Sequence, residues 1–294
     1  MRSKTEHYGI IVGVDGSSAS DAAVSWAARD AAMRGVPVTL MHVVNPAAPT
    51  WSQLPVLEQL KDQQRAEGRA MLADAGKIAH DAVTDAARLQ IDGELLCSAT
   101  VPTLIDRSRH ADMIVVGTDG RGALTRGLLG SVSSGLLRHA HCPVAVIHEE
   151  TPSTSQDAPV LVGIDGSEGS ALAIKVAFEE ASNRRAGLLA LHAWSDLELT
   201  ELPGIDWVEV KREEQRLLFE ALAGWEERYP DVAVTKRLVC DRPAHALVEA
   251  SRSAQLVVIG SRGQNVLTHA ILGSVSNAAV QSMRAPVIVT RHGD

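Results

Sequence analysis

The chain has 294 residues, about twice the commonest domain size, with 45% hydrophobic and 22% charged residues. This composition supports buried cores and excludes a disordered or fibrous protein. Because 28 Lys and Arg face 36 Asp and Glu, giving a net charge of -8 without any basic tract, nucleic acid and anionic membranes are not expected as partners.

Strand and helix patterns alternate through the first half of the chain. The predicted strands are nearly all apolar and cover residues 8–14, 38–44, 94–100, 113–116 and 144–147. The predicted helical or amphipathic segments cover residues 17–34, 57–88, 103–110 and 131–139. Apolar strands that alternate with helices predict an α/β fold, with a doubly wound parallel sheet covered on both faces.

The second half repeats the first. IIVGVDGS at 10–17 returns as VLVGIDGS at 160–167, and MIVVGTDGRGALTRGLLGSVSSG at 113–135 returns as LVVIGSRGQNVLTHAILGSVSNA at 256–278. Between the copies lies the polar, proline-containing segment EETPSTSQDAP at 149–159, which is typical of a linker. We therefore predict two domains, residues 1–150 and residues 157–294.

Two glycine-containing loops follow strands in each copy. The first is GVDGS at 13–17 and GIDGS at 163–167; the second is GTDG at 117–120 followed by GSVS at 130–133, mirrored by GSRG at 260–263 and GSVS at 273–276. Glycine lets the backbone approach a ligand, and a helix N-terminus favours an anion. With serine hydroxyls as further donors, the second loop is predicted to be a phosphate cradle. It does not match the P-loop, and no GxGxxG follows the first strand.

The spacing Gly-x2-Gly-x9-Gly-Ser, with an Asp ending the first strand, resembles the ATP-binding class of universal stress proteins. The resemblance is to the tandem two-domain, actinobacterial type and covers nearly the whole chain. It implies two tandem five-stranded parallel sheets in the order 3-2-1-4-5, Rossmann-like and similar to the adenine nucleotide alpha hydrolases. It also implies ATP, with or without Mg, across the tips of strands one and four.

The resemblance implies a set of nucleotide-binding residues in each copy. In the first copy they are Asp15, Val43, Gly117, Gly120, Gly130, Ser131, Val132 and Ser133. In the second they are Asp165, Ala193, Gly260, Gly263, Gly273, Ser274, Val275 and Ser276. The aspartates would anchor the nucleoside, the backbone at Val43 and Ala193 would meet the adenine edge, and the glycines and serines would hold ribose and phosphates. No catalytic residue is implied, and no metal ligand is assigned.

The two copies differ in the second loop. After Gly263 the chain has Gln264-Asn265 where the first copy has Arg121-Gly122. A cation near the phosphates is therefore lost unless Arg262 replaces it. We expect the first site to bind ATP more tightly.

Several residues also have structural interpretations. Asp15 and Asp165 are suited to capping a turn, and the glycine loops to tight turns alone. His42 and His192 are interpreted as buried histidines with satisfied hydrogen bonds, and Lys211–Arg216 as a solvated helix face. Trp51 and Trp207 either cover a base or fill space under a loop.

The function expected from this pattern is an ATP-binding regulator of stress adaptation or growth arrest, acting on an unidentified protein partner. The alternatives are a slow nucleotide hydrolase or transferase, and a scaffold that binds no nucleotide. Three cysteines without a CxxC pair, and no apolar run long enough for a signal or a membrane span, predict a cytoplasmic protein. The apolar fifth strands predict an internal pseudo-dimer of the two domains within a homodimer.

Overall fold

The computed structural model describes residues 7–45, 55–84, 89–118, 129–149, 155, 157–194, 206–263 and 272–291. The chain divides into two compact units, Met1–Glu149 and Glu150–Asp294. Across the described ranges, the helices are all too short or too polar to cross a membrane.

The first unit alternates strands and helices from its first strand to its last. Its strands are β1 (Ile10–Gly13), β2 (Val38–Val44), β3 (Ile91–Cys97), β4 (Met113–Gly117) and β5 (Val144–Ile147). Its helices are α1 (Ser18–Arg34), α2 (Pro55–Asp81), α3 (Thr100–Arg107) and α4 (Ser131–His139).

The second unit has the same alternation, with one short additional helix. Its strands are β6 (Val160–Ile164), β7 (Leu188–Ala193), β8 (Val234–Val239), β9 (Leu256–Gly260) and β10 (Val287–Thr290). Its helices are α5 (Glu168–Arg184), α6 (Trp207–Leu222), α7 (Trp225–Arg228), α8 (Pro243–Ser251) and α9 (Ser274–Ser282).

Each unit forms a parallel sheet whose strand order turns back at the first strand. In the first unit β1 lies between β2 and β4, with β3 beside β2 and β5 beside β4. In the second unit β6 lies between β7 and β9, with β8 beside β7 and β10 beside β9. The predicted order 3-2-1-4-5 is therefore confirmed in both units. The reversal at β1 and β6 places a crevice at the carboxyl ends of the strands.

The central strands are buried because helices cover both faces of each sheet. Ile10, Ile11 and Val12 of β1 have no exposed surface, and neither do Leu161 and Val162 of β6. In the first unit α1 packs against α2, and α3 packs against α4. Burial of apolar strands between two helix layers is the main stabilising interaction of such a fold.

Two predicted elements begin three residues earlier in the chain than expected. β3 starts at Ile91, because a strand beside only one neighbour tolerates polar residues such as Asp92 and Glu94, and it pairs with β2 along its whole length. Helix α3 starts at Thr100, so Pro102 lies in its first turn. Proline is tolerated there because its missing N–H breaks no helical hydrogen bond.

The three cysteines differ in accessibility, and we predict different reactivities. Cys97 and Cys240 are exposed, whereas Cys142 is buried, and burial raises the pKa of the Cys142 thiol to about 12. At pH 8 a chromogenic disulfide reagent should therefore modify Cys97 and Cys240 in the native protein and Cys142 only after unfolding. Rapid reaction of all three thiols in the folded protein would contradict this burial.

Candidate functional site

A cavity of about 340 Å³ lies at the carboxyl ends of the strands of the second unit. This volume falls within the range of small-molecule sites, roughly 300–1,000 Å³. Its lining includes all eight residues implied for the second copy, which are Asp165, Ala193, Gly260, Gly263, Gly273, Ser274, Val275 and Ser276. The fold therefore brings together residues that are up to about 110 positions apart in the sequence.

Asp165 organises the turn between β6 and α5. Its Oδ1 accepts hydrogen bonds from the N–H of Ser167 at 3.0 Å and from the Ser167 hydroxyl at 2.6 Å. The turn needs Gly166, whose φ is 77°. Ser167 in turn caps α5 by accepting from the N–H of Ser170. A Cβ built on Gly263 would lie 2.7 Å from Asp165 Oδ2, so glycine is what allows this carboxylate to lie against the second loop.

The first unit contains the same turn. Asp15 Oδ1 accepts from the N–H of Ser17 at 3.0 Å and from its hydroxyl at 2.6 Å. Gly16 has a φ of 74°. One oxygen of Asp15 and one of Asp165 therefore cap the turn, which is the structural interpretation given for these residues above.

The remaining first-copy residues occupy equivalent positions in their unit. Val43 lies in β2, Gly117 ends β4, Gly130 is the N-cap of α4, and Ser131, Val132 and Ser133 form the first turn of α4. Gly120 lies outside the described residues, as do Trp51, Arg121, Gly122, Gln264 and Asn265. Arg262 is described and lines the second cavity.

The N-terminus of α9 faces the cavity through Gly273, Ser274, Val275 and Ser276. Gly273 is the N-cap and provides no side-chain cap. The first helical hydrogen bond joins the Asn277 N–H to the Gly273 carbonyl at 2.9 Å. The preceding N–H groups of the turn have no helical carbonyl to bind, so this end of the cavity favours an anion.

Two serines do not have the role that their position suggested. The Ser276 hydroxyl donates to the Gly260 carbonyl at 2.7 Å. The Ser133 hydroxyl donates to the Gly130 carbonyl at 3.0 Å. Because a hydroxyl has one hydrogen, these buried groups tether the helix to its preceding segment and do not supply the predicted donors to a phosphate. The hydroxyls of the exposed Ser131 and Ser274 stay candidate donors to a phosphate.

The glycines that end β4 and β9 are explained by helix packing. A Cβ on Gly117 would lie 2.8 Å from the carbonyl carbon of Ala19 in α1. A Cβ on Gly260 would lie 2.7 Å from the carbonyl carbon of Gly169 in α5. Alanine at position 117 would therefore strain the fold, because the backbone of α1 already occupies that space.

Sequence reasoning missed Glu214. Lys211–Arg216 was interpreted as a solvated face, and Arg212, Glu213 and Arg216 are indeed exposed and form ion pairs along the helix. Glu214 instead lines the cavity. Its spacing from the apolar Leu217 and Leu218, three and four positions later, was the signal that it lies on the inner face.

His192 contacts Glu214 and is fully hydrogen-bonded. Its Nδ1 donates to the Ile164 carbonyl at 2.6 Å, and its Nε2 lies 2.7 Å from Glu214 Oε2. In the first unit His42 Nδ1 bonds the Val14 carbonyl at 2.7 Å. The prediction of satisfied histidines is confirmed for His192 and for Nδ1 of His42.

Tryptophan forms part of the cavity wall. Trp194, directly after β7, lines the cavity, and its ring centroid lies 6.0 Å from that of Trp207 at the start of α6. Trp207 therefore packs on a residue of the cavity wall.

The electrostatic surroundings of the two aspartates differ. The pKa of the Asp21 carboxyl in α1 is raised, first by burial and then by the nearby carboxylates of Asp15 and Asp74. Ala171 stands at the corresponding position of the second copy. The first turn of α5 has its acidic residue at Glu168 instead, so the carboxylates near the two aspartates are arranged differently.

Comparison with known proteins shows which family the chain resembles. The model of the universal stress protein family matches residues 9–148 and 158–291. Universal stress protein Rv2005c of Mycobacterium tuberculosis strain H37Rv is 54% identical over 293 residues, with 99% of both chains covered. Universal stress protein Rv2623 of the same strain is 48% identical over 293 residues, again with 99% of both chains covered.

Solved structures agree on the fold. The crystal structure of a universal stress protein from Archaeoglobus fulgidus DSM 4304 has a TM-score of 0.74 at 20% identity, covering 98% of this chain and 100% of that chain. At that identity the likeness concerns the fold alone. The family model and the two relatives match nearly the whole chain, the relatives at 54% and 48% identity. The chain therefore belongs to the universal stress protein family.

Proposed function

We propose that each unit binds a nucleotide, with ATP as the ligand, and that the chain is a nucleotide-dependent regulator of stress adaptation or growth arrest. The observation that carries this proposal is in the second unit. There an anion-favouring helix N-terminus, a carboxylate and an apolar wall line one cavity of about 340 Å³. Membership of the universal stress protein family supports the regulatory role.

The cavity has a suitable partner for each part of ATP. The phosphates would bind the first turn of α9, with Arg262 as a nearby cation. The ribose hydroxyls would donate to Asp165, and the base would lie against Ala193 and Trp194. The first unit would bind ATP through the equivalent residues around Asp15 and Gly130.

The cavity lining favours binding over catalysis. Among the described lining residues, His192 and Glu214 are hydrogen-bonded to each other, and one oxygen of Asp165 is held by the turn. A hydrolase would need a group that positions the attacking water, and the proposed nucleotide uses the remaining oxygen of Asp165 for its ribose. We therefore propose a binding protein, with slow hydrolysis or group transfer as the alternative.

The cellular setting is a proposal as well. All three cysteines are free thiols, which supports a reducing compartment such as the cytoplasm. The homodimer, the internal pseudo-dimer of the two units and the regulatory protein partner stay predictions of the sequence.

Nucleotide carried through purification tests the proposal. The purified chain is denatured, and the released small molecules are identified by mass spectrometry. We expect ATP, with ADP as its product, at up to two per chain. Protein that releases no nucleotide and takes up none from added ATP would favour the scaffold alternative. Repeated release of phosphate from ATP would favour the hydrolase.

A further inference from the structure

The wall that α6 contributes to the second cavity carries a fixed hydrogen-bond acceptor. A carbonyl can only accept, so His192 Nδ1 holds a hydrogen and donates it to Ile164. The contact of 2.7 Å between His192 Nε2 and Glu214 Oε2 then needs one further hydrogen, on one atom or the other. In both arrangements the hydrogen lies between Nε2 and Oε2. Glu214 Oε1 therefore stays an acceptor.

Glu214 Oε1 is available to a ligand. The Glu214 side chain lines the cavity and is 28% exposed. Among the residues that the structure describes, His192 is the one hydrogen-bond partner of the Glu214 side chain. An oxygen fixed in this way is a good acceptor for an N–H donor of a ligand, because its geometry is set in advance, and the hydrogen bond is charge-assisted when the shared hydrogen is on His192.

The layout of the cavity sets which part of a nucleotide reaches Glu214. The cavity crosses the ends of β9, β6 and β7 in that spatial order, with α9 at one end and α6 at the other. The anion-favouring turn is at the α9 end. The α6 end has Trp194 and Leu217, which suit an aromatic base. A nucleotide with its phosphates at α9 therefore directs its base toward Glu214.

We propose that Glu214 is a specificity-determining residue that accepts a hydrogen bond from the exocyclic amino group of the base. This inference rests on the proposed nucleotide binding and goes further by assigning the base selectivity of the second cavity. His192 is the positioning residue that holds Glu214. A base without an amino group would leave the carboxylate unpaired in a partly buried site, which lowers its affinity.

Among the described residues of the first unit, a glycine stands at the place equivalent to Glu214. There the residue against the histidine ring is Gly68 of α2, where a Cβ would lie 2.8 Å from His42 Cδ2. The residue that corresponds to Trp194 is Val44, the last residue of β2. The two copies therefore differ in how they contact a base, and selectivity through this carboxylate is confined to the second cavity.

The test compares ATP with purine riboside 5′-triphosphate, which lacks only the amino group. Both are titrated by calorimetry into nucleotide-free protein that carries Ser131→Glu, so that only the second site is measured. With Glu214 intact, ATP should bind about 10- to 100-fold more tightly, as expected for one hydrogen bond to a charged group. In Glu214→Ala the two affinities should agree within about 2-fold, since the acceptor that His192 holds in place is removed.

Glu214→Gln is the matched variant. Its amide can donate to His192 Nε2 and keep Oε1 as an acceptor, so most of the preference for ATP should return. Thermal unfolding of all three proteins checks that they are folded. Equal affinity for the two nucleotides with Glu214 intact would overturn the inference and leave the proposed function standing. A preference that persists in Glu214→Ala would also overturn it. If neither nucleotide binds, the proposed function itself is wrong.

Discussion

Gly117→Ala is expected to lower the free energy of unfolding of the first unit by about 1–3 kcal/mol, as overpacking of a close contact typically does. The new methyl group would lie 2.8 Å from both the carbonyl carbon and the Cβ of Ala19. Backbone at that distance cannot rotate away as a flexible side chain would, so α1 must shift from β4. The measurement is urea unfolding followed by circular dichroism.

Gly76→Ala is the matched control in the same unit. Gly76 lies inside α2 with open space around its Cα, since nothing lies within 4 Å of a built Cβ. Alanine in a helix interior is more favourable than glycine by roughly 0.5–1 kcal/mol, so this variant should be more stable than the wild type. If Gly117→Ala unfolds like the wild type but loses ATP, Gly117 leaves space for a ligand and the packing explanation is wrong.

Ser274→Glu is expected to remove ATP binding at the second site while the fold is kept. Ser274 is exposed, begins α9 and lines the cavity. A carboxylate at a helix N-terminus is favourable for the helix, but it occupies the place of the phosphates and repels them. Opposed like charges cost several kcal/mol, which corresponds to a loss of affinity of about 100-fold or more. Calorimetry with ATP measures this loss.

Asn277→Glu separates this effect from a general change of charge. Asn277 is exposed on the same helix, one turn later, and is not part of the cavity lining. The variant carries the same added charge and should keep the affinity for ATP within about 3-fold, as expected for a solvent-screened charge. Equal losses in the two variants would show that α9 does not hold the phosphates.

The sequence was sufficient for the fold because the strands are apolar and the copies repeat. β2, α4 and β5 lie where the patterns predicted them, since each is bounded by Gly, Pro or a polar turn. β3 was misplaced because a strand at the end of the sheet order exposes polar side chains. Its pairing with β2 depends on tertiary contacts that periodicity does not show.

The site was predictable in position but not in the role of each residue. The glycine and serine spacing places Gly273 and Ser274 correctly at the cavity, because a loop after a parallel strand must open toward the ligand edge. The hydrogen bond from Ser276 to Gly260 depends on helix orientation. Glu214 stands among exposed charges, so its spacing from Leu217 and Leu218 is a weak signal, and the fold shows that it lines the cavity.

Calorimetric titration of nucleotide-free protein with ATP is the most direct test of the central claim, that the carboxyl edges of the two sheets are nucleotide sites. We expect saturable binding of two ATP per chain, reduced to one by either Ser131→Glu or Ser274→Glu and to none by the double variant. Binding that is absent at millimolar ATP, or unchanged in the double variant, would contradict it.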